Sequence, residues 1–143
     1  MTNKKIPEPG PARDRMVAYL LGWRPFAEQR GEYTHVVWVA PGKKPGEGVC
    51  DPKPSTELTP EQINPKRHIE HCLARYSTSP ADALAALEAW VAKKSGREWR
   101  IDFHSHIYGV TLYEAWPLDC GNSEESTLPA AATAALLATR EGT

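Results

Sequence analysis

Six prolines fall between residues 41 and 65, at positions 41, 45, 52, 54, 60 and 65, and glycines stand at 42, 46 and 48 among them. Proline has no amide hydrogen to give a ladder and holds φ fixed, so neither a central strand nor a continuous helix can run through such a stretch. The spacing predicts a long connection lying outside the core, with at most one helical turn at Thr59-Pro60-Glu61-Gln62. Whatever folds must be built from the segments on either side.

On the N-terminal side, residues 1–10 hold Pro7, Pro9 and Gly10 without periodic apolar residues and read as a flexible arm. Pro11 suits the first turn of a helix, and Gly22 and Pro25 stop it. Met16, Tyr19, Leu20 and Trp23 form its expected buried stripe. Tyr33 to Ala40 is β-branched and aromatic on both faces, which places it inside a sheet. After the connection, residues 64–74 read as a short helix with Ile69, Cys72 and Leu73 on one face and His68 and His71 one turn apart.

Ser79-Pro80-Ala81-Asp82 is the clearest helix start in the chain: a capping hydroxyl, a proline at the first position, and an acid completing a capping box. Leu84, Leu87, Trp90 and Val91 are its expected buried stripe, and Gly96 ends it. Residues 98–106 and 110–116 alternate as two strands of a tight hairpin turning at 107–109. Residues 117–126 read as a polar loop, and Thr127 caps a last helix over 128–139. The expected fold class is α+β, a small sandwich in which a three- to four-stranded, mostly antiparallel sheet packs with three main helices. One domain over 11–143 carries the Pro/Gly-rich insertion at 41–65.

Composition narrows the function classes. With 41% hydrophobic and 24% charged residues the chain is ordinary globular protein, neither disordered nor coiled coil. No apolar run is long enough to span a bilayer, and the N-terminus lacks the apolar stretch of a signal peptide. Cys50, Cys72 and Cys120 cannot all pair and form no CxxC motif, which fits a reducing cytoplasm. A net charge of −1 argues against nucleic acid as a partner held by bulk charge.

Several segments together resemble a known family: the helix ending Tyr19-Leu20-Leu21-Gly22-Trp23, the run Tyr76-Ser77-Thr78-Ser79-Pro80-Ala81-Asp82, the hairpin strand Trp99-Arg100-Ile101-Asp102-Phe103, and the closing Leu128-Pro129-Ala130-Ala131-Ala132. The chain resembles the phage α/β sandwich (ABA sandwich) family and NinX-like phage accessory proteins. That resemblance implies a phage or prophage origin and a bacterial cytoplasm, and it carries no catalytic motif. Residues 41–65 and the histidines depart from the family pattern.

Candidate binding residues come from three patterns. Lys43, Lys44, Lys53, Lys66 and Arg67 gather basic charge around the proline stretch, interleaved with Glu47, Asp51, Glu57 and Glu61. His68 with His71, and His104 with His106, form two same-face pairs that could close on a divalent metal with Asp102 or Cys72. A polar sheet face with Arg100 paired to Asp102 explains the second pair without metal. Trp116, at a strand end beside Pro117, is the tryptophan expected at the surface and a candidate interface anchor.

No nucleophile–base–orienter set and no phosphate-binding loop is visible in the sequence, so no cofactor and no catalytic residue is assigned. The expected function is a non-enzymatic accessory protein that binds a host bacterial protein, for example to inhibit a defence system. The alternatives are a sponge for a small nucleotide signal, formed at a homo-oligomer interface, and a metal-dependent hydrolase.

Overall fold

The computed structural model describes residues 5–46 and 54–139. In chain order the elements are α1 (Pro11–Leu20), β1 (Arg24–Arg30), β2 (Tyr33–Val39), β3 (Thr56–Glu57), a 3-10 turn (Pro60–Gln62), β4 (His68–His71), α2 (Pro80–Ala92), β5 (Glu98–His104), β6 (Ile107–Ala115), β7 (Leu118–Glu125) and α3 (Leu128–Ala138). The class is α+β, as its sequence implies, but the strands divide between two sheets. The chain forms two compact units, one of Met1–Leu20 with Ala74–Thr143 and one of Leu21–Leu73. The expected domain over 11–143 includes residues of both units. The described part of 41–65 belongs to the second unit, and Cys50 and Lys53 lie outside the described residues.

In the first unit, α3 packs on β6, β7, α1 and α2, and every residue from Pro129 to Leu137 is buried. Its alanines let the helix lie close to the sheet, and Gly121 on β7 completes the fit. A Cβ at position 121 would stand 2.7 Å from the Ala135 carbonyl oxygen and 2.7 Å from the Thr139 methyl. Thr127 caps α3 by accepting from the Ala130 amide at 3.3 Å. Ser79 caps α2 by accepting from the Asp82 amide at 3.4 Å. The Asp82 carboxylate does not close the expected capping box; it accepts from the Arg75 amide at 2.9 Å.

Both expected helix stripes are rotated. In α1 the buried residues are Arg13, Asp14, Val17 and Ala18, while Met16, Tyr19 and Leu20 are half-buried. In α2 they are Ala83, Ala86, Leu87 and Trp90, and Leu84 is exposed. Alanine is the reason in α2, and in α1 the buried side includes the polar Arg13 and Asp14. Alanine can be buried as completely as leucine, and its small face admits the closest approach.

Two polar residues of α1 therefore enter the core and are satisfied there. The Arg13 guanidinium donates to the Pro7 carbonyl at 2.7 Å, the Ala130 carbonyl at 3.0 Å and the Thr133 hydroxyl at 3.3 Å. Asp14 accepts from the Ser77 amide at 2.7 Å and the Ser77 hydroxyl at 2.6 Å. The Gly10 amide donates to Ser77 Oγ at 2.8 Å, so residues 7–10 of the expected arm are tied to the unit. Burial pulls the Arg13 guanidinium below its ordinary value and pushes the Asp14 carboxyl above its own.

A second polar clamp joins the end of α2 to β6. Arg97 donates to both carboxylate oxygens of Glu114, at 2.9 and 3.0 Å, and to the Trp90 carbonyl at 3.1 Å, with its guanidinium 4.3 Å over the Trp90 ring. The hydrogen bonds from Arg97 hold the Glu114 carboxyl below its ordinary value of 4.5. A depressed carboxylate contributes stability that is present above that value and lost as the pH falls below it. Arg97→Met is expected to cost about 1–2 kcal/mol at neutral pH, trimmed by the solvent around Glu114. In urea titrations at several pH values, the gap from wild type should shrink below pH 4.5 and stay constant above pH 6.

The hairpin β5–β6 is present, but it turns two residues earlier than expected. His104 pairs with Ile107, and Ser105 and His106 form the two-residue loop with φ of 52° and 64°. Positive φ at both central positions belongs to the turn type that matches strand twist, normally marked by Asn-Gly. Without a glycine there, the sequence points instead to Gly109, which is an ordinary strand residue. Residues 117–126, expected as a loop, contain β7, which pairs with β6 despite having no β-branched residue.

In the second unit the sheet order is β3-β1-β2-β4, so β2 is internal as its apolar pattern requires. Strand β1, not anticipated from Arg24-Pro25-Phe26-Ala27-Glu28-Gln29-Arg30, pairs antiparallel with β2 along its whole length. The expected helix over 64–74 is instead the parallel edge strand β4. The Trp38 indole, 2% exposed, donates to Glu70 on that strand at 2.6 Å.

Candidate binding surfaces

The sequence-derived candidates fall in both units. Lys43, Lys44, Arg67, His68 and His71 belong to the second unit; Arg100, Asp102, His104, His106 and Trp116 belong to the first. Lys43 and Lys44 are exposed just after β2, where the Lys43 amide donates to the Ala40 carbonyl at 3.0 Å. Arg67 is exposed in the turn before β4, and His68 Nδ1 accepts from the Asn64 amide at 2.9 Å, closing that turn.

The two histidine pairs do not form. His68 and His71 are three apart on a strand, so they point to opposite faces. His106 sits in the hairpin loop, 6.3 Å edge-on from Phe103, while His104 ends β5. A different pair does form: His35 Nδ1 on β2 lies 2.7 Å from His71 Nε2, with the rings nearly parallel at 6°. One imidazole N–H donates to the other's lone pair, in the tautomer that allows it. Parallel pairing of β4 with β2 creates this contact, so no spacing within the sequence could reveal it. Among the described residues no group of three His, Cys, Asp or Glu side chains is placed to hold a metal ion.

The outer face of the three-stranded sheet gathers the other candidates. Register puts Glu98 beside Tyr113 and Asp119, Arg100 beside Thr111 and Asn122, and Asp102 beside Gly109 and Glu124. Arg100 is turned onto an aromatic ring rather than onto Asp102: its guanidinium lies 4.7 Å over Trp116. Trp116 also meets Tyr113 edge-on at 5.0 Å. Trp116 is 54% exposed and Leu118, two residues on, is 68% exposed. Arg100 and His104 share the face with the carboxylates of Glu98, Asp102, Asp119 and Glu124, so it is acidic around an aromatic centre.

No family model, curated protein or solved structure matches the chain. No described helix is long and apolar enough to cross a membrane. The buried set Arg13, Asp14, Ser77 and Thr133 is polar but fully engaged within the core, which makes it structural. Cys72, just past β4 at φ 68°, and Cys120 are free thiols, and burial pushes the Cys120 thiol up, away from nucleophilic use at neutral pH.

Proposed function

We propose that the chain is a non-enzymatic binding protein, a phage accessory protein that engages a host bacterial protein through the outer face of the β5–β6–β7 sheet. The observation that carries this reading is the exposed Trp116 ring held in place by Arg100 and Tyr113. A large aromatic fixed before contact loses little conformational freedom on binding, and such residues dominate interface energetics. The surrounding carboxylates favour a partner with a basic surface around an apolar pocket. Blocking a defence protein by occupying such a surface is the role we assign.

The same carboxylates oppose an anionic ligand, which weighs against nucleotide sequestration on this face. Trp116→Ala is expected to leave stability within about 0.5 kcal/mol, because the ring is at the surface. It should weaken a purified partner at least about 30-fold, the effect of losing a central anchor. Affinity purification from host lysate, followed by titration of the retained protein against both forms, checks this. Equal binding by both forms would refute the assignment of the face, and thermal stabilisation by cyclic or linear nucleotides would favour the sponge.

A further inference from the structure

Strand β5 is an edge of its sheet, hydrogen-bonded to β6 alone within the sheet. A two-residue loop is closed by a hydrogen-bonded pair, here His104 with Ile107. Alternation then turns the backbone groups of residues 102, 100 and 98 toward β6 and those of Phe103, Ile101 and Trp99 outward. A seven-residue edge with three outward donors and three outward acceptors is a template for another strand.

The sequence of that edge is Glu98-Trp99-Arg100-Ile101-Asp102-Phe103-His104. Read outward from Ile101, it sets Arg100 against Asp102, Trp99 against Phe103 and Glu98 against His104. We infer that β5 pairs antiparallel with β5 of a second copy of this chain, about a two-fold axis at Ile101. In that register Arg100 faces the partner's Asp102, and Glu98 faces the partner's His104. Trp99 meets the partner's Phe103, and Ile101 meets the partner's Ile101. The outward amides and carbonyls of Trp99, Ile101 and Phe103 are then the ones that exchange bonds, so backbone and side chains select the same register.

Neighbouring registers fail. An axis at Arg100 sets Arg100 against itself and Glu98 against the partner's Asp102. An axis at Asp102 sets Asp102 against itself and Arg100 against the partner's His104. Like charges directly opposite one another are destabilising. Registers centred between residues put outward-bonding positions opposite inward-bonding ones and make no ladder. Phe103, 59% exposed in the single chain, gains an aromatic neighbour across the axis. Stacking on Trp116 takes the face of the Arg100 guanidinium, and no described hydrogen bond uses its N–H edge, which is the edge a carboxylate needs.

Sedimentation velocity of the full chain tests this pairing by charge exchange. Wild type should sediment as a dimer at about 100 μM, within the range of weak specific association. Asp102→Arg places two arginine–arginine pairs across the axis and should raise the dissociation constant at least about tenfold; Arg100→Asp should do the same with aspartates. An equimolar mixture of the two variants restores every opposite pair and should recover the dimer as a heterodimer. Phe103→Lys, at an exposed side chain, gives a second weakening variant should a charge variant fold poorly. A monomeric wild type, an unchanged Asp102→Arg dimer, or a mixture that stays monomeric would each overturn the inference. The Phe103 side chain lies on the opposite face of β5 from Arg100 and Asp102, so Phe103→Lys leaves the Trp116 anchor and its carboxylates in place and separates this outcome from partner binding.

Discussion

Trp38→Ala is expected to lower the unfolding free energy by about 3–5 kcal/mol, the range for truncating a large buried aromatic. Trp38 lies on the internal strand β2 with 2% of its surface exposed, and its indole N–H donates to Glu70 on β4 at 2.6 Å. The substitution removes the largest buried side chain of the second unit and leaves Glu70 without that donor. Trp38→Phe separates the two contributions. It keeps most of the apolar area and loses the hydrogen bond, so it should cost about 1–2 kcal/mol. Urea unfolding followed by circular dichroism checks both; equal losses for the two variants would assign the effect to the Glu70 bond rather than to packing.

The second large effect is at Asp14. Asp14→Ala is expected to cost about 3 kcal/mol, because the Ser77 amide and hydroxyl are buried and lose the carboxylate that accepts from them. Asp14→Asn retains an acceptor oxygen and should stay close to wild type at neutral pH. Burial raises the Asp14 carboxyl above its ordinary value of 3.8. A raised acid favours the folded state when protonated, so its contribution is full below pH 3.8 and is lost as the pH rises through the folded value. Wild type should therefore gain on Asp14→Asn as the pH is lowered toward 3.8. A gap between the two that is independent of pH would show that the carboxyl titrates alike in folded and unfolded chains.

What the sequence made legible depended on whether the signal was local. Helix starts at Pro80 and Leu128 were readable because Ser79 and Thr127 do their capping within three residues. The one-sided alternation of Trp99, Ile101 and Phe103 identified β5, and the apolar faces of β2 marked an internal strand. Strands β1 and β7 were not legible: Arg24-Pro25-Phe26-Ala27-Glu28-Gln29-Arg30 and Leu118-Asp119-Cys120-Gly121-Asn122-Ser123-Glu124-Glu125 hold few strand formers, and pairing with a neighbour gives them their conformation. The segment 64–74 has a helix-like spacing of Ile69, Cys72 and Leu73, overridden where its residues 68–71 ladder to β2 as β4.

Candidate residues followed the same rule. Exposure of Trp116 could be read from its place beside Pro117. Its stack on Arg100 and the His35–His71 contact arise across strands and leave no trace in linear spacing. Arg13 and Asp14 carry no apolar signal, because the buried side of α1 is partly charged. The set 13, 14, 17 and 18 has helical spacing once polarity is ignored.

The bond from Arg13 to Thr133 spans 120 positions. A ribosome adding about 5–20 residues per second takes roughly 6 to 24 s to cover that interval. A ten-residue helix is too short to hold together by itself in water. The segment from Pro11 to Leu20 thus meets Ser77, the partner of Asp14, first, and its set of buried partners is complete only when Ala130 and Thr133 have emerged.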